Sequence, residues 1–231
     1  MYNAAATGVS AMKDLKAIKG TFYIHNLISE GEHEHQDFKF AITDAAKIAR
    51  SISAFANNDG GRLLVGVKDN GRIAGIRNEE DIFVVEQAAQ MYCRPPQDVK
   101  VSAFTVDGGA VVLRVDIAKA SKRPVYSREP DGTMRAYYRV KDENIAAHPV
   151  MVKAWRRMAA DEGLVLSLSE AEAALLNYLD EWSMTTVEDY MRGAHISRAA
   201  AEEIIVRLCA AGVLEFIYTG SEFRIMRSDN Q

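Results

Sequence analysis

Cysteine is nearly absent: the 231 residues hold two, Cys93 and Cys209, far apart in the chain. That scarcity argues against a disulfide framework and for reduced, partly buried thiols, as expected of a cytoplasmic protein. Five prolines and 15 glycines are too few for a collagenous or low-complexity chain. No apolar run approaches the roughly 20 residues of a membrane span. The first twenty residues carry Lys13, Asp14, Lys16 and Lys19 and lack the apolar stretch of a secretory signal. Neither sign of charge dominates, with 28 Lys and Arg against 32 Asp and Glu, so bulk charge draws the chain to no polyanion. There is no G-x-x-x-x-G-K-[ST] phosphate loop, no dinucleotide-binding pattern and no Ser/His/Asp or Cys/His arrangement.

What is present is an ordinary globular composition, 48% apolar and 26% charged, long enough for one large domain and a smaller companion. The charge is unevenly spread. Residues 165–231 hold five arginines, no lysine and eleven acids, a net of −6, while the rest of the chain is at +2. Residues 119–157 hold ten basic and four acidic residues. That excess is either a phosphate-facing surface or a solvated face with scattered counter-charges.

Residues 1–28 read as a leader or first helix and strand, with amphipathicity around 12–18 and an extended segment at 22–27. Residues 37–40 also read as extended. Thr43 is placed to cap a helix in which Ala45, Ala46, Ile48, Ala49, Ile52, Ala54 and Phe55 recur at helical spacing. Asn57-Asn58-Asp59-Gly60-Gly61 ends it. A buried strand at 62–67, a turn at Asp69-Asn70-Gly71 and a partner at 73–76 predict a hairpin. A helix follows over 79–91, stopping before Arg94-Pro95-Pro96. Strands at 99–106 and 110–117 flank Asp107-Gly108-Gly109, another strand spans 134–140, and a helix at 150–158 closes the domain. These elements predict an α+β fold. The tail has a different pattern. Ser169-Glu170-Ala171-Glu172 is a capping box opening a helix to about Glu181. A short helix spans 186–191, Ser197 caps a third that stops at Gly212, and strands at 213–218 and 222–226 flank Thr219-Gly220-Ser221. Three helices and a two-stranded wing are the order of a winged helix-turn-helix over 165–231, with the boundary in 159–167.

One stretch carries a family likeness. Glu32, Asp37-Phe38-Lys39, the run from Ala54-Phe55-Ala56-Asn57 to Gly60-Gly61, Gly66-Val67-Lys68-Asp69 and Gly75 closely resemble the Schlafen AlbA-like domain. Arg123-Pro124 and Tyr137-Tyr138-Arg139 extend the likeness over residues 29–158. A bacterial arrangement of this domain before a winged helix implies a DNA-binding protein or transcriptional regulator that needs no cofactor to bind. ATP is discounted for want of a phosphate loop.

In nuclease members of that family three acids bind a divalent ion, and by motif position they correspond to Glu32, Asp37 and Asp69. This resemblance implies a catalytic and metal-binding trio for Mg²⁺ or Mn²⁺, should the chain be an enzyme at all. Asp37 stands where the family has Glu, one methylene shorter. A separation of five residues also puts Glu32 and Asp37 on opposite faces of a regular strand, so a turn near Gly31 has to join them. Candidate contacts to DNA or RNA are Lys39, Lys122, Arg123, Arg128, Arg135, Arg139 and Lys141. Asn57, Gly60 and Gly61 form either an anion-binding nest or a helix C-cap and turn. His33 and His35 are a partial metal-ligand set or hydrogen-bonded surface histidines. Tyr126, Tyr137, Tyr138 and Trp155 either stack bases or fill the core. The functions in competition are therefore a nucleic-acid-binding regulator, a metal-dependent nuclease, and an interaction module. In the last, the acidic tail associates with protein or with a second copy through Ile204, Phe216, Ile217 and Phe223.

Overall fold

The computed structural model describes residues 15–77, 80–160 and 169–228, which form two compact units. The first comprises the chain up to residue 121 with 125–146; the second comprises 122–124 and the chain from 147 onward. Half of the expected leader and most of the expected boundary lie outside the described residues.

The first unit opens with β1 (Ile18–Lys19) and α1 (Thr21–Ser29). Residues 22–27, expected to be extended, are helical. Ile24 and Leu27, three positions apart, turn inward onto Phe38, Leu64, Phe104 and Val112. Strand alternation would have buried Phe22 with Ile24, and Phe22 is 79% exposed. β2 (Gln36–Lys39) follows, then α2 (Ala45–Asn57). Asp44, one residue later than expected, caps α2 by accepting the Ala46 N–H at 2.9 Å. β3 (Gly61–Val65) returns parallel to β2, so the expected helix between these two strands is the crossover of a β–α–β unit. The architecture is accordingly mixed α/β. The Gly-Gly pair makes the helix-to-strand passage possible. Gly60 has φ +79°, and a Cβ there would lie 2.7 Å from the Ile117 carbonyl oxygen; a Cβ on Gly61 would collide with the Phe55 ring.

Past β3 the expected hairpin narrows to one bridge, Val67 with Ile73. Then come α3 (Glu80–Gln87), a π-helical segment Ala88–Tyr92, and β4 (Cys93–Arg94). β5 (Val99–Thr105) and β6 (Val111–Ile117) form the predicted hairpin and complete a five-stranded sheet of order β1-β5-β6-β3-β2. α1 covers one face, and α2 and α3 cover the other. β7 (Tyr126–Arg128), β8 (Met134–Val140) and β9 (Glu143–Ala146) join β4 in a four-stranded sheet of order β4-β7-β8-β9.

This second sheet also packs on α2, which is therefore enclosed from both sides and buried almost all round. Such a helix can present a polar residue only where a partner is waiting. Ser53 Oγ donates to the Val125 carbonyl at 2.8 Å and accepts the Tyr137 N–H at 3.1 Å. Asn57 Nδ2 donates to the Val125 and Tyr137 carbonyls, both at 2.9 Å, and its Oδ1 accepts the Val125 N–H. Asn58 pairs in both directions with the backbone of Arg139. The Ala-Phe-Ala-Asn-Asn run is thus the seam between helix and second sheet.

In the second unit α4 (Pro149–Ala159) is capped by His148, whose Nδ1 accepts the Val150 N–H. α5 (Glu170–Trp182) starts at the predicted capping box of Ser169 and Glu172. β10 (Met184–Thr185), α6 (Val187–Gly193), α7 (Arg198–Ala210), β11 (Leu214–Tyr218) and β12 (Phe223–Arg227) follow, with sheet order β10-β12-β11. The helix expected to close the first domain belongs here. α4 packs along α7, with Lys153 paired to Glu202 and Arg157 to Glu203. Its buried side, Val150, Met151, Ala154 and Trp155, shows why: the helix supplies core to the smaller unit. Ile204 and Phe216, expected to offer surface for self-association, are buried, and the His148 ring stacks on Phe216.

Candidate functional site

The most unusual chemistry of the first unit lies where β2 meets α2. Gly31, at φ +73°, turns the chain after α1, and Gln36 Nε2 fastens the turn by donating to the carbonyls of Leu27 at 2.6 Å and Gly31 at 2.7 Å. The turn swings Glu32 back along β2, so that its Oε1 accepts the Phe38 N–H at 2.8 Å. There the Glu32 and Asp37 carboxyl groups hydrogen-bond to each other. Burial first, and the neighbouring Asp37 second, push the Glu32 carboxyl up to about 7.

Cations surround the pair. Lys39 Nζ lies 2.6 Å from Asp37 Oδ2, and the Arg139 guanidinium lies 3.7 Å from the same oxygen. Ser51 Oγ donates to Asp37 at 3.3 Å and accepts from Asn144 Nδ2, while Asn144 Oδ1 accepts from Arg139. Arg139 is 1% exposed. It also donates to the carbonyls of His33 and Gln36 and lies 4.9 Å from the Phe55 ring centre. Burial holds its guanidinium below the usual arginine range. A second buried knot lies nearby in sequence: Glu129 is paired with Arg50 and accepts the Tyr137 hydroxyl at 2.9 Å.

Set beside the sequence-based candidates, this arrangement joins Glu32 with Asp37 and leaves Asp69 on an exposed turn, closed by Gly71 N–H donating to the Lys68 carbonyl. Among the described residues no three His, Cys, Asp or Glu side chains are grouped to hold a metal ion. The Asp37 oxygen is already taken by Lys39, Ser51 and Arg139, so the donor set as arranged does not fit a divalent cation. His33 and His35 are hydrogen-bonded: His33 Nδ1 accepts the His35 N–H, and His35 Nδ1 faces the Gly60 carbonyl.

Two candidates for nucleic-acid contact are corrected. Arg139 is enclosed and directs its donors at the protein, so it reaches no phosphate. The nest of Asn57, Gly60 and Gly61 is likewise internal, because the Gly60 N–H closes α2 on the Phe55 carbonyl and Asn57 serves the second sheet. Lys39 is half-buried against Asp37. Arg128, Arg135 and Lys141 are exposed at the β7–β8 hairpin and the β8–β9 turn. In the second unit Lys122 is exposed, and Arg123 lies 5.3 Å from the centre of the buried Trp155 ring. Tyr137 is core; burial, with the Glu129 hydrogen bond, raises its hydroxyl. Sequence reasoning passed over Ser51, Asn58, Glu129 and Asn144, and only Asn58 carried a signal, its place in the Ala-Phe-Ala-Asn-Asn run.

A family model described as Schlafen, AlbA_2 matches residues 32–148. No curated protein matches the chain. Among solved structures the chain is similar to the DIP2311 protein from Corynebacterium diphtheriae, at 21% identity and a TM-score of 0.44, over 84% of this chain and 34% of that one. It therefore spans about a third of that protein's length. It is also similar to the N-terminal domain of a RecG-related protein from Nitrosomonas europaea, at 23% identity and a TM-score of 0.41, over 53% of this chain and 88% of that one.

Proposed function

The chain belongs to the Schlafen, AlbA_2 family, and from that premise we propose that it is a nucleic-acid-binding protein whose first unit makes the phosphate contacts. The observation that carries the reading is the exposure of Arg128, Arg135 and Lys141 on the β7–β8–β9 part of that unit, where Asp131, Asp142 and Glu143 are exposed as well and Glu129 is enclosed against Arg50. Exposed cations that reach solvent are what contact with a phosphate backbone requires.

The second unit has the helix and strand order of a winged helix-turn-helix, which supports a regulatory role. α7, the third helix of the α5–α6–α7 series before the wing strands, is in the position of the element such modules lay on DNA. Here Glu202 and Glu203 of α7 are engaged by Lys153 and Arg157 of α4. In our reading this unit therefore binds protein and not phosphate.

Fluorescence anisotropy with labelled duplex DNA and RNA at several salt concentrations tests the assignment. Replacing Arg128, Arg135 and Lys141 together by alanine should weaken binding and flatten the salt dependence by roughly 0.9 for each duplex phosphate that the variant no longer neutralises. An unchanged slope, or binding carried by residues 165–231 alone, overturns it. The metal-dependent nuclease alternative requires Asp69 to join Glu32 and Asp37 around an ion. Incubating labelled RNA and DNA with Mn²⁺, with and without chelator, is expected to show no metal-dependent cleavage.

A further inference from the structure

The strongest unassigned feature of the first unit is an exposed aromatic ring set among cations at the C-terminal ends of β2 and β3. Phe40 follows directly on β2 and is 45% exposed, although the two strands beneath it are buried. Gly66 N–H donates to the Lys39 carbonyl at 2.8 Å, and this brings the turn after β3 alongside Phe40. Lys68 Nζ lies 4.8 Å from the Phe40 ring centre, and the Arg77 guanidinium carbon 6.0 Å from it. Arg72 is exposed on the same turn, held there by Lys68 N–H donating to its carbonyl at 3.0 Å.

Residues 66–77 thus carry three cations and one acid, Asp69. Nearby, Asp81 is buried and accepts the Arg77 N–H. Elsewhere in this unit Arg50, Arg62 and Arg114 are committed to carboxylates. Among the described residues, Lys68, Arg72 and Arg77 are in no ion pair.

The geometry points to a binding site for single-stranded nucleic acid, in which an unpaired base stacks on Phe40 and the flanking phosphates are held by Lys68, Arg72 and Arg77. An exposed phenyl ring attracts a base of any identity through its face, and cations on flexible stems around the ring match a backbone on either side of that base. In a duplex the base faces are stacked on each other and unavailable, so the site distinguishes strand from duplex. This inference rests on the nucleic-acid reading above and deepens it, because it uses a surface apart from Arg128, Arg135 and Lys141.

Anisotropy with a short fluorescein-labelled oligothymidylate, and with the same strand annealed to oligoadenylate, tests it on the full chain. The wild type is expected to favour the single strand. Phe40→Leu should raise the single-strand Kd about tenfold and leave the duplex Kd unchanged, and Phe40→Trp should restore or tighten binding. Lys68→Ala and Arg77→Ala should each remove about 0.7 from the single-strand salt slope. Circular dichroism checks that each variant is folded; if Phe40→Leu unfolds, loss of binding in a folded Phe40→Trp overturns the site. A Phe40→Leu protein that binds the strand as the wild type does, or loses strand and duplex equally, overturns the site and leaves the broader reading standing. A wild type that binds neither probe overturns both.

Discussion

In the first unit Arg139 and Asp37 are enclosed between α2 and its two sheets, and Glu129 is held nearby by Arg50 and Tyr137. In the second unit the pairs Lys153–Glu202, Arg157–Glu203 and Arg227–Asp180 lie on partly exposed helix and strand faces. Glu172 is the exception, buried beneath its capping box and Arg207. The contrast separates two uses of charge. A buried ion whose terminal nitrogens are directed at particular acceptors fixes which strand docks on which helix, at the risk of severe loss when one partner is removed. An exposed pair contributes little and mainly sets which helix faces are compatible.

Breaking the first unit's arrangement should therefore have the largest consequence. Arg139→Met removes one donor from each of the His33 and Gln36 carbonyls and from Asn144 Oδ1, and leaves Asp37 with one cation fewer. Urea denaturation should show a loss of about 3–5 kcal/mol; a change below about 1 kcal/mol would mean the guanidinium is not a structural pin. Asn57→Ala comes next. It leaves the Val125 N–H without its side-chain acceptor and takes one donor from each of the Val125 and Tyr137 carbonyls, and should cost about 2–3 kcal/mol by the same measurement.

A milder effect is expected from pH. The Glu32 carboxyl titrates near 7 when folded, above its ordinary value of 4.5. A raised carboxyl binds its proton more tightly in the folded state, so the contribution is complete below about pH 4.5 and is lost as pH rises through about 7. The melting temperature should accordingly fall between pH 5.5 and pH 8, and Glu32→Gln, which keeps the group neutral, should flatten that fall. An equal fall in both proteins would place the titration elsewhere. The smallest effect belongs to the second unit: Lys153→Ala with Arg157→Ala should cost no more than about 1 kcal/mol, and less in high salt.

Much of the local structure was legible in the residues. The capping box at Ser169 and Glu172, the hairpin around Asp107-Gly108-Gly109 and the strand at 134–140 all rest on interactions within a few positions. The Gly60-Gly61 passage was legible as well, since a helix end with a positive φ calls for glycine, although the backbone it passes closely is that of Ile117. The turn at Gly31 was foreseeable too, because a strand cannot place residues five apart on one face.

Other features were set by partners distant in sequence. Residues 22–27 suit strand or helix, and became α1 because the surface formed by Phe38, Leu64 and Phe104 accepts Ile24 and Leu27 together. Arg139 reads as a surface cation until β8 is laid on α2, where the Gln36 carbonyl, 103 positions away in the chain, accepts its hydrogen bond. The helix after β9 has an apolar side that fits either unit, and only its packing along α7 assigned it to the second. Spacing along the chain determines which groups repeat on a face and where a helix starts or stops. Whether a charge faces water or another charge depends on what the completed fold sets against it, since the cost of burying an ion is decided by its neighbours in space.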